Sequence, residues 1–178
     1  MMVEIVNPKT DEYLAIKKHV FSADFPWFWN FDSVKDGDGN FYEDGIPYFN
    51  HTLIQAPEYS GHPKENSQYA AAAVLISKQI MQANNIPLQC IYRASFNLTL
   101  PQLSKHLRSR LHTDHKFPHK NLLIYLNEVD GDTVLCDDKD AVISSESPKE
   151  DKAILFEGSH YHYMPTTSRR LVFVLTFI

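Results

Sequence analysis

The chain carries nine histidines, and the tightest group of them is His112-Thr113-Asp114-His115, followed by His160-Tyr161-His162. On an extended chain the side-chain period is two, so His112 and Asp114 point to one face. A nitrogen and a carboxylate oxygen presented together can hold a divalent metal, and an imidazole from elsewhere would complete a set of two imidazoles and one carboxylate. That set suits Fe(II) and leaves positions open for a bidentate co-substrate and oxygen. A lone His-x-Asp pair arises by chance about once in a chain of this composition. An exposed loop pair explains it equally well, so its weight has to come from the elements around it.

From Pro87 onward the sequence breaks into short apolar, β-type runs: LQCIYRASFNLTL, NLLIYLN, DTVLCD, DAVIS, KAILFE, HYHYM and RRLVFVLTFI, parted by polar or Gly/Pro-bearing turns. Helical signals are confined to the first half. Residues 10 to 22 open on Thr10-Asp11-Glu12, and residues 66 to 84 run through four consecutive alanines with Leu75, Ile76, Ile80 and Met81 apolar. Early helices and many late strands predict an α+β, mainly β, domain in which a sandwich or small barrel is braced by helices. The acidic stretch DSVKDGDGNFYEDG reads as a loop. An EF-hand reading of it, on Asp32, Asp36, Gly37 and Glu43, fails because Val34 stands where an oxygen ligand is needed.

Length and composition bound what such a site can serve. At 178 residues and 43% hydrophobic, the chain is sized for one core, stable without disulfides or a structural metal. The balance of 17 Lys+Arg against 22 Asp+Glu argues against a general nucleic-acid or anionic-membrane binder. Cys90 and Cys136 have no CxxC spacing and read as reduced thiols. With no apolar run of membrane-spanning length and no secretory pattern at the start, the expectation is a soluble, cytoplasmic protein.

The ordered set HxD, YLN, DGDT, FEGxxxH, Pro165 and Arg170 resembles the Fe(II)- and 2-oxoglutarate-dependent dioxygenases, in particular their small prolyl-4-hydroxylase-like branch. RASFNL, ahead of the HxD, is similar to the strand these relatives carry there. The resemblance covers roughly residues 90 to 178. It implies a single oxygenase domain over 1–178, on a double-stranded β-helix, the jelly-roll or cupin-like barrel, with 1–85 bracing it and 86–178 forming the barrel core. It implies Fe(II), 2-oxoglutarate and O2 as cofactor and co-substrates. His112 and Asp114 would be two iron ligands, with the third His162 or His160. His162 is favoured because it follows Phe156 by six residues, as the family places its ligand.

The resemblance further implies an arginine that pairs with the distal carboxylate of 2-oxoglutarate, a task that suits a planar fork of donors. Arg170, directly before the last apolar run, is favoured. Arg169 takes its place if Pro165–Ser168 is a four-residue hairpin loop, because Met164 would then face Arg169. Tyr125 could bond the same carboxylate or be a core tyrosine; Arg93 and Asn97, on one strand face, could line the pocket or make a structural ion pair. The basic run at 105–110 could steer an anion or be a solvated face, and Trp27, Phe28 and Trp29 could cover the pocket or join the core. With Asp114 present the implied outcome is hydroxylation rather than halogenation, on a prolyl or other amino-acid side chain of a peptide, or on a small molecule. A cupin-like protein holding a metal or small ligand without turnover is the rival class. A nucleobase oxygenase would need a basic groove that this charge balance does not favour.

Overall fold

The structure is a computed structural model, and it describes residues 1–31 and 46–178. The acidic loop of residues 32–45, with the EF-hand spacing considered for it, lies outside the described residues. In chain order the elements are β1 (Val3–Ile5), α1 (Asp11–Val20), β2 (Phe28–Asn30), β3 (Tyr48–Gln55), α2 (Pro57–Ser60), β4 (Lys64–Glu65) and α3 (Ala70–Ala83). Then follow β5 (Ile91–Thr99), β6 (Lys120–Tyr125), β7 (Thr133–Cys136), β8 (Val142–Glu146), β9 (Ala153–Phe156), β10 (His160–His162) and β11 (Arg170–Phe177).

The expected helices form for the expected reasons. Thr10 caps α1, its side chain accepting from the Tyr13 N–H, with Asp11 and Glu12 in the first turn and Lys17, Lys18 and His19 in the last. On α3, Ala70, Ala73, Ile76, Ser77, Ile80 and Met81 are buried, the stripe of a helix lying on a core. The single turn α2 was not anticipated; Pro57 opens it and Gly61, at φ +77°, closes it.

All strand pairs are antiparallel. The main sheet runs β1-β9-β6-β11-β5-β3-β2, with β4 on β3, and a second, three-stranded sheet runs β10-β7-β8. The protein is thus mainly β, but its strands form two open sheets rather than a closed barrel. The eight-residue β3 pairs directly with β5, so the main sheet draws on both halves of the chain. Strands β10 and β11 belong to different sheets, so the Pro165–Ser168 hairpin that would have selected Arg169 does not form.

Period-two alternation gives the main sheet two environments. On β5, β6 and β11 the set Ala94, Phe96, Leu98, Leu122, Ile124, Leu171, Phe173, Leu175 and Phe177 packs in one cluster with Tyr13, Val20, Ala73, Ile76 and Ile80 of the helices. The alternate set, Leu123, Tyr125, Val172 and Val174, packs on Leu135 of the small sheet. Further along the same face Arg93, Ser95, Asn97 and Thr99 turn into a cavity. No helix among the described residues is long and apolar enough to cross a membrane.

Phe173 is 3% exposed, with its ring 5.2 Å from that of Phe96 at the centre of the helix-covered face. Phe173→Ala is expected to cost about 3–5 kcal/mol of folding stability, read as a shift of the urea midpoint at unchanged slope.

Candidate metal centre

The cavity between the two sheets has a volume of about 1090 Å³. The corner that holds the candidate metal ligands is built by a short backbone ladder. The N–H of His112 donates to the carbonyl of His160 at 3.0 Å and the N–H of His160 returns to the carbonyl of His112 at 2.9 Å, a direct antiparallel pair. The irregular segment at His112 and the start of β10 are thereby set side by side, with the ring centroids of His112 and His160 4.4 Å apart and their planes tilted by 50°. His162, further along β10, is tied to the chain before the HxD: its backbone N–H donates to Ser109 Oγ at 2.9 Å and its carbonyl accepts from the Ser109 N–H at 2.9 Å.

One ligand atom from each of His112, His160 and His162 lies within 4.8 Å of the others. Asp114 lies beside this group, with its Oδ2 3.7 Å from His160 Nε2. Two of the rings have their tautomer fixed from behind. A backbone carbonyl can only accept, so Nδ1 of His112 donates to Arg110 O at 2.8 Å and Nδ1 of His160 to Gly158 O at 3.2 Å. In the neutral tautomer that each bond selects, the lone pair is on Nε2. Burial, then the neighbouring His112, pushes His160 down to about 3, so it is a neutral imidazole at physiological pH. Burial alone would raise the pKa of Asp114, yet the Arg93 guanidinium, 2.5 Å from Oδ1, outweighs it and holds the carboxyl well below the usual range. The corner therefore offers imidazole nitrogens and an ionised oxygen, a donor set for a divalent cation.

Of the other expected residues, some line the cavity and some lie away from it. Arg170 lines the cavity and is buried; its Nη2 donates to Thr133 Oγ1 at 3.0 Å, while its Nε is buried without a partner. Burial pulls this guanidinium down from its ordinary value, so an anion beside it would be stabilised. Arg169 is exposed, its Cζ lying 5.5 Å from the ring of Phe21. Tyr125 is fully buried and does not line the cavity: its ring sits 5.4 Å from Arg170 Cζ and its hydroxyl 2.8 Å from that of Thr133, so it backs the arginine. Arg93 and Asn97 both line the cavity, and Arg93 also makes the ion pair with Asp114. Arg108, from the basic run, covers the ring of Tyr161 at 4.2 Å, whereas Arg110 faces the cavity. Trp27 packs against the core, and Phe28 and Trp29 are exposed on β2, so these aromatics do not cover the pocket.

Three residues that sequence reasoning passed over hold the site together. Thr133 joins His162, whose Nδ1 lies 3.1 Å from its hydroxyl, to Arg170. The Asp130 carboxylate accepts from the backbone N–H and hydroxyl of both Thr166 and Thr167. Gly131, at φ +102°, lies so close to the following segment that a Cβ would stand 2.7 Å from the carbonyl oxygen of Tyr163. The Asp130-Gly131 turn thus clamps the chain between His162 and Arg170. The DGDT motif was a legible signal for a turn but not for this contact.

No family model matches the sequence, and no curated protein does. Solved structures do match. An oxidoreductase of the 2OG-Fe(II) oxygenase family from Burkholderia pseudomallei superposes with a TM-score of 0.71 at 12% identity, over 99% of this chain and 84% of that one. A prolyl hydroxylase from Trichoplax adhaerens, in complex with a hypoxia inducible factor oxygen degradation domain peptide fragment, gives 0.62 at 12% identity, over 99% and 83%. A Pseudomonas putida prolyl-4-hydroxylase gives 0.50 at 15%, over 92% and 97%. The chain has the fold of these oxygenases, in keeping with the resemblance its motifs carry.

Two outcomes test the clamp. Gly131→Ala is expected to lose at least about 1 kcal/mol of stability, since the residue must shift the 163–165 backbone and hold a positive φ. Burial acts to raise Asp130, but the hydrogen bonds from Thr166, then Thr167, hold it down to about 2. Its contribution is therefore present above the ordinary carboxylate range near pH 4 and is lost as pH falls towards 2. Asp130→Asn should flatten that part of the acid limb in a stability-versus-pH series by chemical denaturation.

Proposed function

We propose that the protein is a non-haem Fe(II)- and 2-oxoglutarate-dependent oxygenase that hydroxylates an unactivated C–H bond, and that its two-sheet core is a double-stranded β-helix. The observation that carries this reading is the meeting, in one cavity, of the histidine–aspartate cluster with the buried, incompletely partnered Arg170. The fold shared with 2-oxoglutarate oxygenases supports it. Both requirements fit this chain: imidazole nitrogens and an ionised carboxylate for Fe(II), and a guanidinium with a spare donor for the far carboxylate of 2-oxoglutarate.

His112, Asp114 and His162 would hold the metal. Bound Fe(II) with 2-oxoglutarate and O2 supplies the oxidising chemistry, releasing succinate and CO2 and placing one oxygen atom on the substrate. The chain's own residues set the conditions. Arg170, steadied by Thr133 and backed by Tyr125, binds and orients the co-substrate tail. Leu123, Phe156, Val172 and Val174 make an apolar floor that excludes water from it. Arg93 keeps Asp114 ionised and aimed.

Beyond the metal the wall turns polar: Asn50 pairs across the sheet with Asn97, and Thr52 with Ser95. These amides and hydroxyls suit a peptide-borne substrate, so a prolyl or other amino-acid side chain in a peptide is the first candidate. The Trichoplax neighbour's peptide complex supports that order of search. The three-imidazole group is also what a metal-binding protein without turnover would need; redox competence separates the two readings.

Mixing metal-free protein anaerobically with Fe(II) and 2-oxoglutarate should give the weak visible band of the chelate, and admitting oxygen should give slow succinate formation without added substrate. Bound metal with neither signal would assign the binding-protein reading instead. Asp114→Ala should abolish succinate formation while the fold, by circular dichroism, persists. Arg170→Ala should weaken 2-oxoglutarate binding about tenfold or more, the loss of a charge-assisted hydrogen bond worth roughly 1.5–3 kcal/mol; Arg169→Ala should leave it within about twofold.

A further inference from the structure

The cavity side of the main sheet carries one row of residues that runs straight across four strands. Phe156 on β9 pairs with Asn121 on β6, Asn121 with Thr176 on β11, and Thr176 with Arg93 on β5. Directly opposed antiparallel residues share a face. Three of these side chains meet the segment above them. Arg93 Nη2 donates to Asp114 Oδ1, the Thr176 hydroxyl lies 2.7 Å from His115 Nε2, and the ring of Phe156 is 4.9 Å from that of His160. Asn121 stands between Thr176 and Phe156, on the floor between the 114–115 segment and His160.

Its chemistry is unused there. Asn121 is fully buried, and neither its amide nitrogen nor its amide oxygen has a hydrogen-bond partner. His119, two residues earlier, shares this condition. Its ring is 4.8 Å from that of His115, and its Nδ1 donates to the Phe117 carbonyl at 2.8 Å. The lone pair of the neutral ring is then on Nε2, an atom buried without a partner. With Arg93 Nε, these make four of the six such atoms among the described residues, so the unmet polar groups gather at one place. The next position on this face of β6 is filled by Leu123, and an apolar residue at 121 would avoid the cost of an unpaired buried amide. Its presence calls for a partner that the surrounding side chains do not supply.

We propose that Asn121 is a positioning residue for Asp114, acting with His119 through one buried water. The amide N–H donates to the water, which donates to His119 Nε2 and to the Asp114 carboxylate. Three bonds are what a buried water ordinarily makes. Arg93 holds the carboxylate from one side and this bridge holds it from another, which fixes its aim towards a metal. The proposal rests on the metal-centre reading above and deepens it.

Co(II) is the probe, added to the metal-free full chain and followed by calorimetry, with the urea midpoint of each protein measured beside it. Asn121→Leu removes the amide at similar shape; it should fold at least as stably as the wild type and bind Co(II) about tenfold or more weakly. Wild-type Co(II) affinity in this variant would overturn the positioning role while leaving the metal site standing. A wild-type protein that binds no Co(II) would remove the metal-centre reading itself. In isotope-labelled wild-type protein the side-chain amide resonance of Asn121 should shift when Zn(II) is added, and an unmoved resonance would overturn the proposal even if the variant does not fold.

Discussion

Strand β11 is buried along its whole length, and the two-sided burial of this one strand organises the rest of the protein. Its odd-numbered residues from Leu171 join the helix-covered cluster, while Arg170, Val172 and Val174 line the cavity. Neighbouring strands inherit the rule through their register: Arg170 lies opposite Thr99, Val172 opposite Asn97 and Val174 opposite Ser95. One alternation therefore decides which side chains become core and which become binding wall. A slip of one residue would exchange them all. Arg170 reaches the site because it is the first residue of this strand on the cavity face.

The histidine corner depends on a much weaker device. The pairing of His112 with His160 is an isolated bridge rather than part of a named strand ladder. It is reinforced on one side by Ser109 and on the other by the Asp130-Gly131 turn acting on the segment after His162. The donor atoms are oriented from behind by carbonyls and by Thr133, which limits how the rings can turn. Rigid strands position the arginine; loops, stapled by short polar contacts, position the imidazoles and the carboxylate.

Much of this was legible in the sequence, and the failures have physical causes. The late strands announced themselves through short apolar runs, and both long helices through caps, alanines and periodicity, because these are local signals. The barrel expectation did not survive as a closed form, since sheet closure is decided by long-range pairing that no local pattern records. The direct pairing of β3 with β5, and the assignment of β10 and β11 to different sheets, are of the same kind. Grouping His112, Asp114, His160 and His162 needed only spacing and family order, whereas ranking His160 against His162 needs the register between two distant segments. Thr133 was legible only as part of the DGDT turn, and Ser109 not at all, because small hydroxyl residues are common and their role here comes wholly from what they face.

The clamp on the segment between His162 and Arg170 has a consequence for how such a chain can change over generations. Asp130 and Gly131 measure that segment against the opposite turn, so an inserted or deleted residue there would displace a candidate ligand relative to the arginine. Length variation should instead accumulate where nothing measures the chain, as at the exposed turn from Asp137 to Ala141, which closes on its own hydrogen bonds. Drift in length is thereby channelled away from the spacing between His162 and Arg170, which can persist while most other residues are replaced.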